Sequence, residues 1–540
     1  MTSTMQDDFP LTVSAILEHG SRVFGESECV TWQGGGAEHV TYAEIGADAR
    51  RLARALANLG IARGDRVGTF SWNTRAHLEA YYAVPGMGAV LHTLNIRLTP
   101  RQLADIVNHA EDRLIIVDGT LLPQIVAAQD EFATVEAFIV VGDAPIEDLN
   151  KPAYRYSDLL AAEEPVFDWP ELDERSPATM CYTSGTTGDP KGVVYSHRSM
   201  FLHALGTLST QATGPRESDR WLALVPMFHV NAWGIPYTAF LSGSSVLLPG
   251  RFMSPADIAG FIAAERATVA AAVPTIWSGL HQHARTHEVD LSSVRLGTSG
   301  GAAIPRSLVE AFETGHGLRI IQGWGMTETS PLGGMAHPPA GVEPGSPEEI
   351  DWRMMSGRVL AGVQMRTVGT NGAVLPWDGR SAGEIEVRGP WITGSYHRTE
   401  APEKFHGGWL RTGDIGTIDP RGFFRITDRA KDVIKSGGEW ISSVELETLL
   451  MGSPHVLEAA VIGIPDEKWT ERPLALVVAR ETVAPSELAE FLAGKVAGWQ
   501  VPENWAFVDA IPKTTVGKFD KKALRSRYGA GQFDIIRTKP

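Results

Sequence analysis

Apolar positions along the first half of the chain follow two spacings, one typical of helices and one typical of buried strands. A capping box of Thr41 and Glu44 opens a helical pattern that ends at Gly60, with apolar residues three, four and seven positions apart. Thr99 followed by Pro100 opens another helix. Because these helices alternate with short apolar runs, the pattern predicts an α/β fold with largely parallel sheets.

The predicted strands are short apolar runs of the kind that buried strands show. They occupy residues 66–72, 89–94, 114–117, 178–182, 221–225, 245–248 and 318–322. A further helix is predicted at 78–84, between the first two strands. Parallel strands need such crossover helices, so this order favours a large domain of stacked α/β sheets.

The second half of the chain changes character twice. Residues 333–345 are rich in Gly and Pro and predict a surface loop, and residues 357–394 predict a β subdomain of short strands and Gly turns. A charged segment at 428–438 marks the next break. The tail beyond it has a compact α+β pattern and about the size of a small domain. We therefore expect an N-terminal domain over 1–429 and a C-terminal domain over 430–540.

Composition narrows the class of protein. The chain has 540 residues, 43% hydrophobic and 21% charged, which suffices for a large core and excludes general disorder. A formal net charge of −16 argues against a nucleic-acid-binding protein with a basic face. Cys29 and Cys181 are too few for a disulfide framework or a cysteine zinc site, which favours a cytoplasmic location. The polar N-terminus is unlike a signal peptide, and no apolar run approaches the ~20 residues of a transmembrane segment.

The most specific motif is a loop rich in glycine and hydroxyl residues, Tyr182-Thr-Ser-Gly-Thr-Thr-Gly-Asp-Pro-Lys-Gly192. It follows a predicted strand and precedes a predicted helix that starts near Val193. Small residues let backbone N–H groups turn inward, and the hydroxyls and Lys191 can surround phosphate oxygens. The spacing differs from a Walker A motif, so the loop indicates phosphate binding of another kind.

Two further clusters carry candidate nucleotide chemistry. In Gly323-Trp-Gly-Met-Thr-Glu-Thr329, Thr327 could bond a phosphate, Glu328 could hold Mg²⁺, and Trp324 offers a flat face for a base. In Trp409-Leu-Arg-Thr-Gly-Asp414, a carboxylate after a tight Gly turn suits the two hydroxyls of a ribose. Taken singly, each cluster also fits a structural role, such as a turn aspartate that bonds its own backbone.

Two segments near the C-terminus present cationic side chains. Arg429, Lys431 and Lys435 precede Gly437-Gly438-Glu439-Trp440, and Pro512-Lys-Thr-Thr-Val-Gly-Lys518 places a lysine on a Gly-containing loop. Alone, such charged residues are usually solvated.

Together and in this order, the five motifs resemble the adenylate-forming superfamily of acyl-CoA synthetases, peptide-synthetase adenylation domains and firefly luciferase. The resemblance covers nearly the whole chain, residues 11–524. Three stretches are most similar to bacterial medium- and long-chain fatty-acid–CoA ligases. These are Pro226-Met-Phe-His-Val-Asn-Ala-Trp233, Gly389-Pro-Trp-Ile-Thr-Gly394 and Lys435-Ser-Gly-Gly-Glu-Trp-Ile-Ser442.

The resemblance implies a role for each matched residue. The phosphate loop corresponds to Thr183, Ser184, Gly185, Thr186, Thr187, Gly188 and Lys191. The adenine, ribose and magnesium sites correspond to Gly323, Trp324, Thr327, Glu328, Asp414 and Arg429, with Thr187 as a further magnesium ligand. The acid pocket corresponds to His229, Trp233, Gly300, Gly301, Ala302 and Ala303. Lys518 corresponds to the lysine of the first half-reaction, Lys435, Gly437 and Gly438 to the coenzyme A step, and Lys431 to the hinge.

The reaction that the resemblance implies has two steps and uses ATP, Mg²⁺ and coenzyme A. A medium- or long-chain fatty acid first becomes acyl-AMP with release of pyrophosphate, and the thiol of coenzyme A then displaces AMP. Rotation of a mobile C-terminal domain would bring Lys518 and then Lys435 to one active site. Family analogy also makes a homodimer possible.

Several alternatives remain open at this point. The acid could be a short methylthio or aryl acid, or the acyl group could pass from acyl-AMP to a carrier protein or to oxygen. A non-catalytic relative that senses AMP or ATP is a third possibility. His229 also fits a core histidine, and residues 300–303 also fit a tight turn.

Overall fold

The computed structural model describes residues 3–6, 8–183, 190–436, 439–514 and 518–538. The helices are α1 Val13–Val23, α2 Tyr42–Asn58, α3 Arg75–Gly86, α4 Pro100–Ala110, α5 Leu122–Ala128, α6 Tyr156–Ala161, α7 His197–Leu208, α8 Ile235–Ser242, α9 Pro255–Glu265, α10 Pro274–Ala284, α11 Arg306–His316, α12 Pro347–Arg353, α13 Ser443–Met451, α14 Pro485–Leu492 and α15 Lys521–Gly529. The strands are β1 Glu28–Trp32, β2 Ala37–Thr41, β3 Arg66–Phe70, β4 Val90–Thr93, β5 Asp112–Asp118, β6 Ala137–Val141, β7 Ala153–Arg155, β8 Pro177–Tyr182, β9 Gly192–Ser196, β10 Arg220–Ala223, β11 Ser245–Leu248, β12 Val269–Ala272, β13 Leu296–Ser299, β14 Ile320–Gly325, β15 Leu332–Met335, β16 Gly357–Val359, β17 Gln364–Val368, β18 Gly383–Arg388, β19 Phe405–His406, β20 Trp409–Ile418, β21 Phe423–Arg429, β22 Ile434–Ser436, β23 Glu439–Ile441, β24 Val456–Asp466, β25 Thr470–Ala479, β26 Asn504–Phe507 and β27 Ile536–Arg537.

The capped helices form where the sequence predicts them. In α2 the Glu44 N–H donates to the Thr41 hydroxyl at 3.2 Å, and the Thr41 N–H donates to the Glu44 carboxylate at 2.8 Å. Thr99 and Gln102 make the same reciprocal pair at the start of α4. Each cap satisfies backbone donors that the first turn leaves without a partner, so these helix starts can be read from the sequence.

Two large sheets enclose the main core and confirm the predicted α/β class. One has the strand order β7-β6-β5-β3-β4-β8-β9 and is parallel except for β9. The other runs in parallel from β14 through β13, β12, β10 and β11 to β1. One buried apolar cluster joins residues of both sheets to helices α1, α2, α3 and α8, which lie between them.

The second sheet continues beyond β14 as an antiparallel subdomain, in the order β15, β16, β21, β20, β18 and β17. This confirms the predicted change to short strands after Gly357. The predicted surface loop at 333–345 is wrong at its start, because residues 333–335 belong to the buried strand β15. A side chain at Gly333 would lie 2.4 Å from the Trp324 ring, which explains why glycine occupies this buried strand position.

The phosphate loop has different flanks from those that the sequence predicts. Residues 192–196 form strand β9, which pairs antiparallel with β8, and the helix α7 begins only at His197 after the cap of Ser196. The setting is therefore a strand–loop–strand hairpin. Val193, Val194 and Tyr195 are β-branched or aromatic residues, which favour a strand over a helix start.

The C-terminal part has its own sheet, with the strand order β23-β22-β25-β26-β27 and β24 paired to β25. Its apolar residues form clusters separate from the main core. The predicted division at 429/430 lies between β21, the last strand of the long sheet, and β22, the first strand of this one. Within the described ranges, no helix combines the length and the apolar character that crossing a membrane requires.

Candidate active site

A cavity of about 680 Å³ lies at the carboxyl ends of parallel strands β10, β12, β13 and β14. Side chains from the antiparallel subdomain and from the loop before α15 also line it. Open parallel sheets bind their ligands at this edge, where loops from several strands converge. The cavity is therefore the candidate active site.

The mouth of the phosphate hairpin lies in this cavity. The Thr183 hydroxyl accepts the N–H of Lys191 at 3.1 Å, and the Thr183 N–H donates to the Lys191 carbonyl at 3.0 Å. The Lys191 ammonium lies 4.9 Å from the centre of the Tyr396 ring and 3.7 Å from a Glu403 carboxylate oxygen. The predicted residues Ser184, Gly185, Thr186, Thr187 and Gly188 lie outside the described residues.

Strand β14 ends in a single 3-10 turn, Thr327–Thr329, whose side chains are buried. The Tyr195 hydroxyl donates to the Thr327 carbonyl at 2.7 Å, and the Tyr396 hydroxyl donates to a Glu328 carboxylate oxygen at 2.7 Å. The turn therefore holds one carboxylate in a fixed orientation at the edge of the cavity. Mg²⁺ is commonly bound by one or two carboxylates together with substrate phosphates, so Glu328 fits the ion. Among the described residues, no group of three or more His, Cys, Asp or Glu could form a complete metal cage.

Asp414 is buried at 2% exposure and holds two partners. One carboxylate oxygen accepts the indole N–H of Trp324 at 2.9 Å, and the other lies 2.7 Å from Nε of Arg429. Register explains the second contact, because Asp414 and Arg429 are opposed on the antiparallel strands β20 and β21. The sequence analysis predicts Trp324 only as a flat surface for a nucleotide base. It does not predict the hydrogen bond from the indole N–H to Asp414. These two residues are 90 positions apart, and no local pattern connects them.

Lys518 reaches the same cavity from the C-terminal part of the chain. A methyl group on Gly301 would lie 3.6 Å from its Cε atom. Burial, followed by the charge of Arg429, lowers the pKa of Lys518 to about 8, and the carboxylates of Asp414 and Glu328 oppose this shift. The structure thus brings Lys518 together with the predicted ribose and magnesium residues.

His229, Trp233 and Gly300 line the part of the cavity that the sequence assigns to the acid. Burial lowers the pKa of His229 to about 3, with smaller contributions from the charges of Lys518 and Arg97, so its imidazole is neutral. A Cβ atom on Gly300 would lie 3.0 Å from the Trp233 ring, so the absence of a side chain lets that ring pack against the turn.

Two groups of predicted residues do not join this cluster. Ala302 and Ala303 are exposed and lie outside the lining that the described residues form. The predicted pocket wall therefore includes two residues too many, because the cavity lining on this turn ends at Gly301. Lys435 is exposed as well, and its N–H donates to Glu471 within the C-terminal part. Gly437 and Gly438 lie outside the described residues, and Lys431 lines the cavity at its edge.

Sequence reasoning missed Tyr396 and Arg97, which both line the cavity. Tyr396 follows the Gly389–Gly394 motif by two positions, but a lone tyrosine gives no chemical signal. Arg97 lies on a loop before α4, with its guanidinium 5.9 Å from the Phe228 ring.

Comparisons with known proteins agree with this geometry. Residues 17–397 match the family described as AMP-binding enzyme, and residues 445–518 match the AMP-binding enzyme C-terminal domain. The chain is 43% identical over 526 residues to a 3-methylmercaptopropionyl-CoA ligase of Ruegeria lacuscaerulensis, covering 96% of this chain and 97% of the relative. It is 44% identical to a long-chain-fatty-acid–CoA ligase of Thermus thermophilus, covering 97% of each.

A solved structure extends the similarity to the whole fold. An anthranilate CoA ligase in complex with anthranoyl-AMP superposes with a TM-score of 0.87 at 26% identity. The match covers 98% of this chain and 100% of that one.

Proposed function

We propose, from the premise that this chain belongs to the AMP-binding enzyme family, that its acid substrate is a fatty acid of medium or long chain. The chain is an AMP-forming acid–CoA ligase, with ATP, Mg²⁺ and coenzyme A taking part in the reaction. The observation that carries the proposed substrate is the cavity, whose lining includes side chains of a buried apolar cluster as well as His229.

An apolar part of the cavity supports a long apolar tail. Its lining includes Trp221 of β10, Ala271 of β12 and Ile235 of α8, which belong to one buried apolar cluster. Thr207 of α7 also contributes. An alkyl chain in this position leaves water, which contributes about 0.8 kcal/mol for each buried CH₂ group. We therefore expect a preference for acids long enough to contact these apolar side chains.

In the first half-reaction a carboxylate oxygen of the acid bonds to the α-phosphorus of ATP, and the bond from that phosphorus to pyrophosphate breaks. Lys518 is proposed to neutralise the negative charge between the carboxylate and the α-phosphate. Lys191 holds the phosphates that leave. Glu328 would hold Mg²⁺, which neutralises charge on the leaving pyrophosphate when bound. The neutral imidazole of His229 lines the acid pocket.

Asp414 is proposed to receive the ribose of ATP. Each oxygen of an ionised carboxylate can accept about two hydrogen bonds. The bonds from Trp324 and Arg429 therefore orient Asp414 and leave acceptor capacity for the two ribose hydroxyls.

The second half-reaction is proposed to use the other face of the C-terminal part. The sulfur of coenzyme A bonds to the acyl carbon, and AMP leaves with the electrons of the broken C–O bond. Lys435, Gly437 and Gly438 would serve this step, although Lys435 is exposed and outside the cavity in the present arrangement. We propose that residues 430–540 form a mobile domain that rotates about Lys431 between the two steps.

A second candidate substrate is 3-(methylthio)propionate. The observation that favours it is the 43% identity to a 3-methylmercaptopropionyl-CoA ligase, a similarity nearly equal to that with the fatty-acid–CoA ligase. Identity over the chain therefore does not separate the two substrates, and the pocket has to be tested directly.

The test is CoA-dependent AMP release across a panel of acids, with Lys518→Ala protein as the background. Pentanoate and 3-(methylthio)propionate form a matched pair, because both have five chain atoms and differ by a sulfur in place of a CH₂. The fatty-acid proposal predicts that kcat/KM rises about fourfold per added CH₂ from pentanoate to octanoate. A kcat/KM for 3-(methylthio)propionate that exceeds those of both pentanoate and octanoate would assign the short methylthio acid instead.

A further inference from the structure

Tyr396 contacts the two groups that are proposed to handle the triphosphate and its metal. Its side chain is buried, with 7% exposure. Its hydroxyl donates to a Glu328 carboxylate oxygen at 2.7 Å, and its ring centre lies 4.9 Å from the Lys191 ammonium. One side chain thus joins the turn after β14 to the phosphate hairpin.

The backbone around Tyr396 is tied to the same two elements. The Thr393 N–H donates to the Glu328 carbonyl at 2.8 Å, and the His397 N–H donates to the Gly192 carbonyl at 2.8 Å. The Tyr396 ring also packs against Phe405, with ring centres 5.6 Å apart. The segment is therefore fixed on both sides, so the direction of the phenol is determined by the fold.

We propose that Tyr396 is a positioning residue that orients the magnesium ligand Glu328 with its hydroxyl and the phosphate-binding Lys191 with its ring. The proposal rests on the roles given above to Glu328 and Lys191, and it is independent of which acid the enzyme uses.

The hydroxyl acts on the carboxylate. A hydrogen bond on one oxygen of Glu328 fixes the rotation of the carboxylate and directs the other oxygen, as partners of metal ligands commonly do. An ordinary tyrosine phenol has a pKa of about 10, so at neutral pH its O–H can donate this bond.

The ring acts on the lysine. A cation within about 6 Å of an aromatic face is attracted to it, which restricts the flexible Lys191 side chain. The Glu403 carboxylate lies 3.7 Å from the same ammonium but is largely exposed, so solvent weakens that ion pair.

The first experiment measures binding without turnover. Calorimetry gives the Kd of α,β-methylene-ATP, which cannot be cleaved at the α-phosphate, with and without Mg²⁺. The ratio of the Kd without Mg²⁺ to the Kd with Mg²⁺ measures how much the ion strengthens nucleotide binding. In Tyr396→Phe this ratio should fall about tenfold, while the Mg²⁺-free Kd stays unchanged. An unchanged ratio in folded Tyr396→Phe protein overturns the role of the hydroxyl.

Tyr195→Phe is the matched control for the loss of a buried hydroxyl. Tyr195 donates to the backbone carbonyl of Thr327 and not to the carboxylate of Glu328. Its loss should lower the melting temperature but leave the effect of Mg²⁺ on nucleotide binding unchanged. Equal losses of that effect in both variants would reduce Tyr396 to a structural residue.

The ring is tested by Tyr396→Leu, which should weaken Mg²⁺-free binding severalfold beyond Tyr396→Phe. In a Lys191→Met background, the same change should have no further effect on Mg²⁺-free binding. Additive losses would contradict an action through Lys191.

Glu328→Gln separates this inference from the role on which it rests. If Glu328→Gln leaves the Mg²⁺ effect intact, the proposed magnesium role of Glu328 is wrong. If Glu328→Gln removes the effect and Tyr396→Phe does not, the positioning role of Tyr396 alone is wrong.

Discussion

Lys518 is a cation whose charge depends on the groups around it. In the cavity its pKa is about 8, because burial and Arg429 oppose the charged form more than Asp414 and Glu328 support it. The ammonium is therefore charged below pH ~8 and increasingly neutral above it. A bound triphosphate adds negative charge, which would hold the proton on Lys518 in the complex.

This gives a prediction for the first half-reaction. If charged Lys518 is needed, kcat/KM for ATP in pyrophosphate release should be maintained below pH ~8 and fall above it, as the free enzyme loses the proton. Lys518→Arg keeps its charge throughout this range, so its profile should lack that fall even at a lower overall rate. A wild-type profile that stays flat to pH ~9.5 would contradict the assignment.

Lys518→Ala tests the same residue by half-reaction. Acyl-AMP formation should be abolished, because the missing charge acts on the adenylation transition state. Thioester formation from supplied acyl-AMP should survive. Equal loss of both half-reactions in a folded protein would show that Lys518 serves more than the first step.

At the scale of elements, the turn after β13 positions Gly300 against the Trp233 ring. A methyl group on Gly300 would lie 3.0 Å from that ring and 3.2 Å from the Gly323 carbonyl, so one of the two must move. The ring is a side chain, whereas the carbonyl belongs to the backbone of β14. The ring should therefore yield and narrow the acid pocket.

We expect Gly300→Ala to lower kcat/KM for octanoate several-fold more than for butyrate, as measured by CoA-dependent AMP release. Ala302→Gly is the control on the same turn, because Ala302 is exposed and outside the cavity lining. It should leave the ratio of the two acids unchanged. A uniform loss for both acids in Gly300→Ala would place the effect on the backbone near Gly323 and not on the pocket.

Elements with local signals were predictable from the sequence, and the exceptions have physical reasons. The capping box of Thr41 located α2 because a cap acts within four residues. The sequence analysis predicts a helix that starts near Val193, whereas the side chains of residues 193–195 favour the strand that forms there. The glycines of β15 suggested a loop because the rings that require them, Trp324 and Phe424, come from elsewhere in the chain.

In the candidate site, too, local motifs indicate some residues, whereas contacts between distant parts of the chain give no sequence signal. The sequence indicates Asp414 and Glu328 through short local motifs, and the structure brings the charges of both close to Lys518. The bonds that orient them come from Trp324 and Tyr396, at separations of 90 and 68 residues. Periodicity and turn chemistry act over a few residues and carry no information about such contacts.

At the scale of the whole molecule, the chain between β21 and β22 joins two sheets. Residues 430–433 form a turn, in which the N–H groups of Asp432 and Val433 both donate to the Arg429 carbonyl at 2.8 Å. Close to it, the Asp428 carboxylate accepts the N–H and the hydroxyl of Ser443, both at 2.6 Å, and so ties β21 to α13. A rotation about Lys431 would have to open this turn and break the Asp428 contacts.

The hinge prediction follows from these contacts. Lys431→Pro fixes φ at about −65° at the proposed hinge, which should block the large backbone change that the second half-reaction needs. Proline also restricts the backbone of the preceding residue, Ala430, which lies in the present turn, so acyl-AMP formation should fall several-fold. Thioester formation from supplied acyl-AMP should fall at least tenfold further.

Pyrophosphate and acyl-CoA are measured on the same folded protein, with Lys431→Ala as the control that removes the side chain but keeps the backbone free. If Lys431→Pro lowers both half-reactions by the same factor, Lys431 is not the hinge.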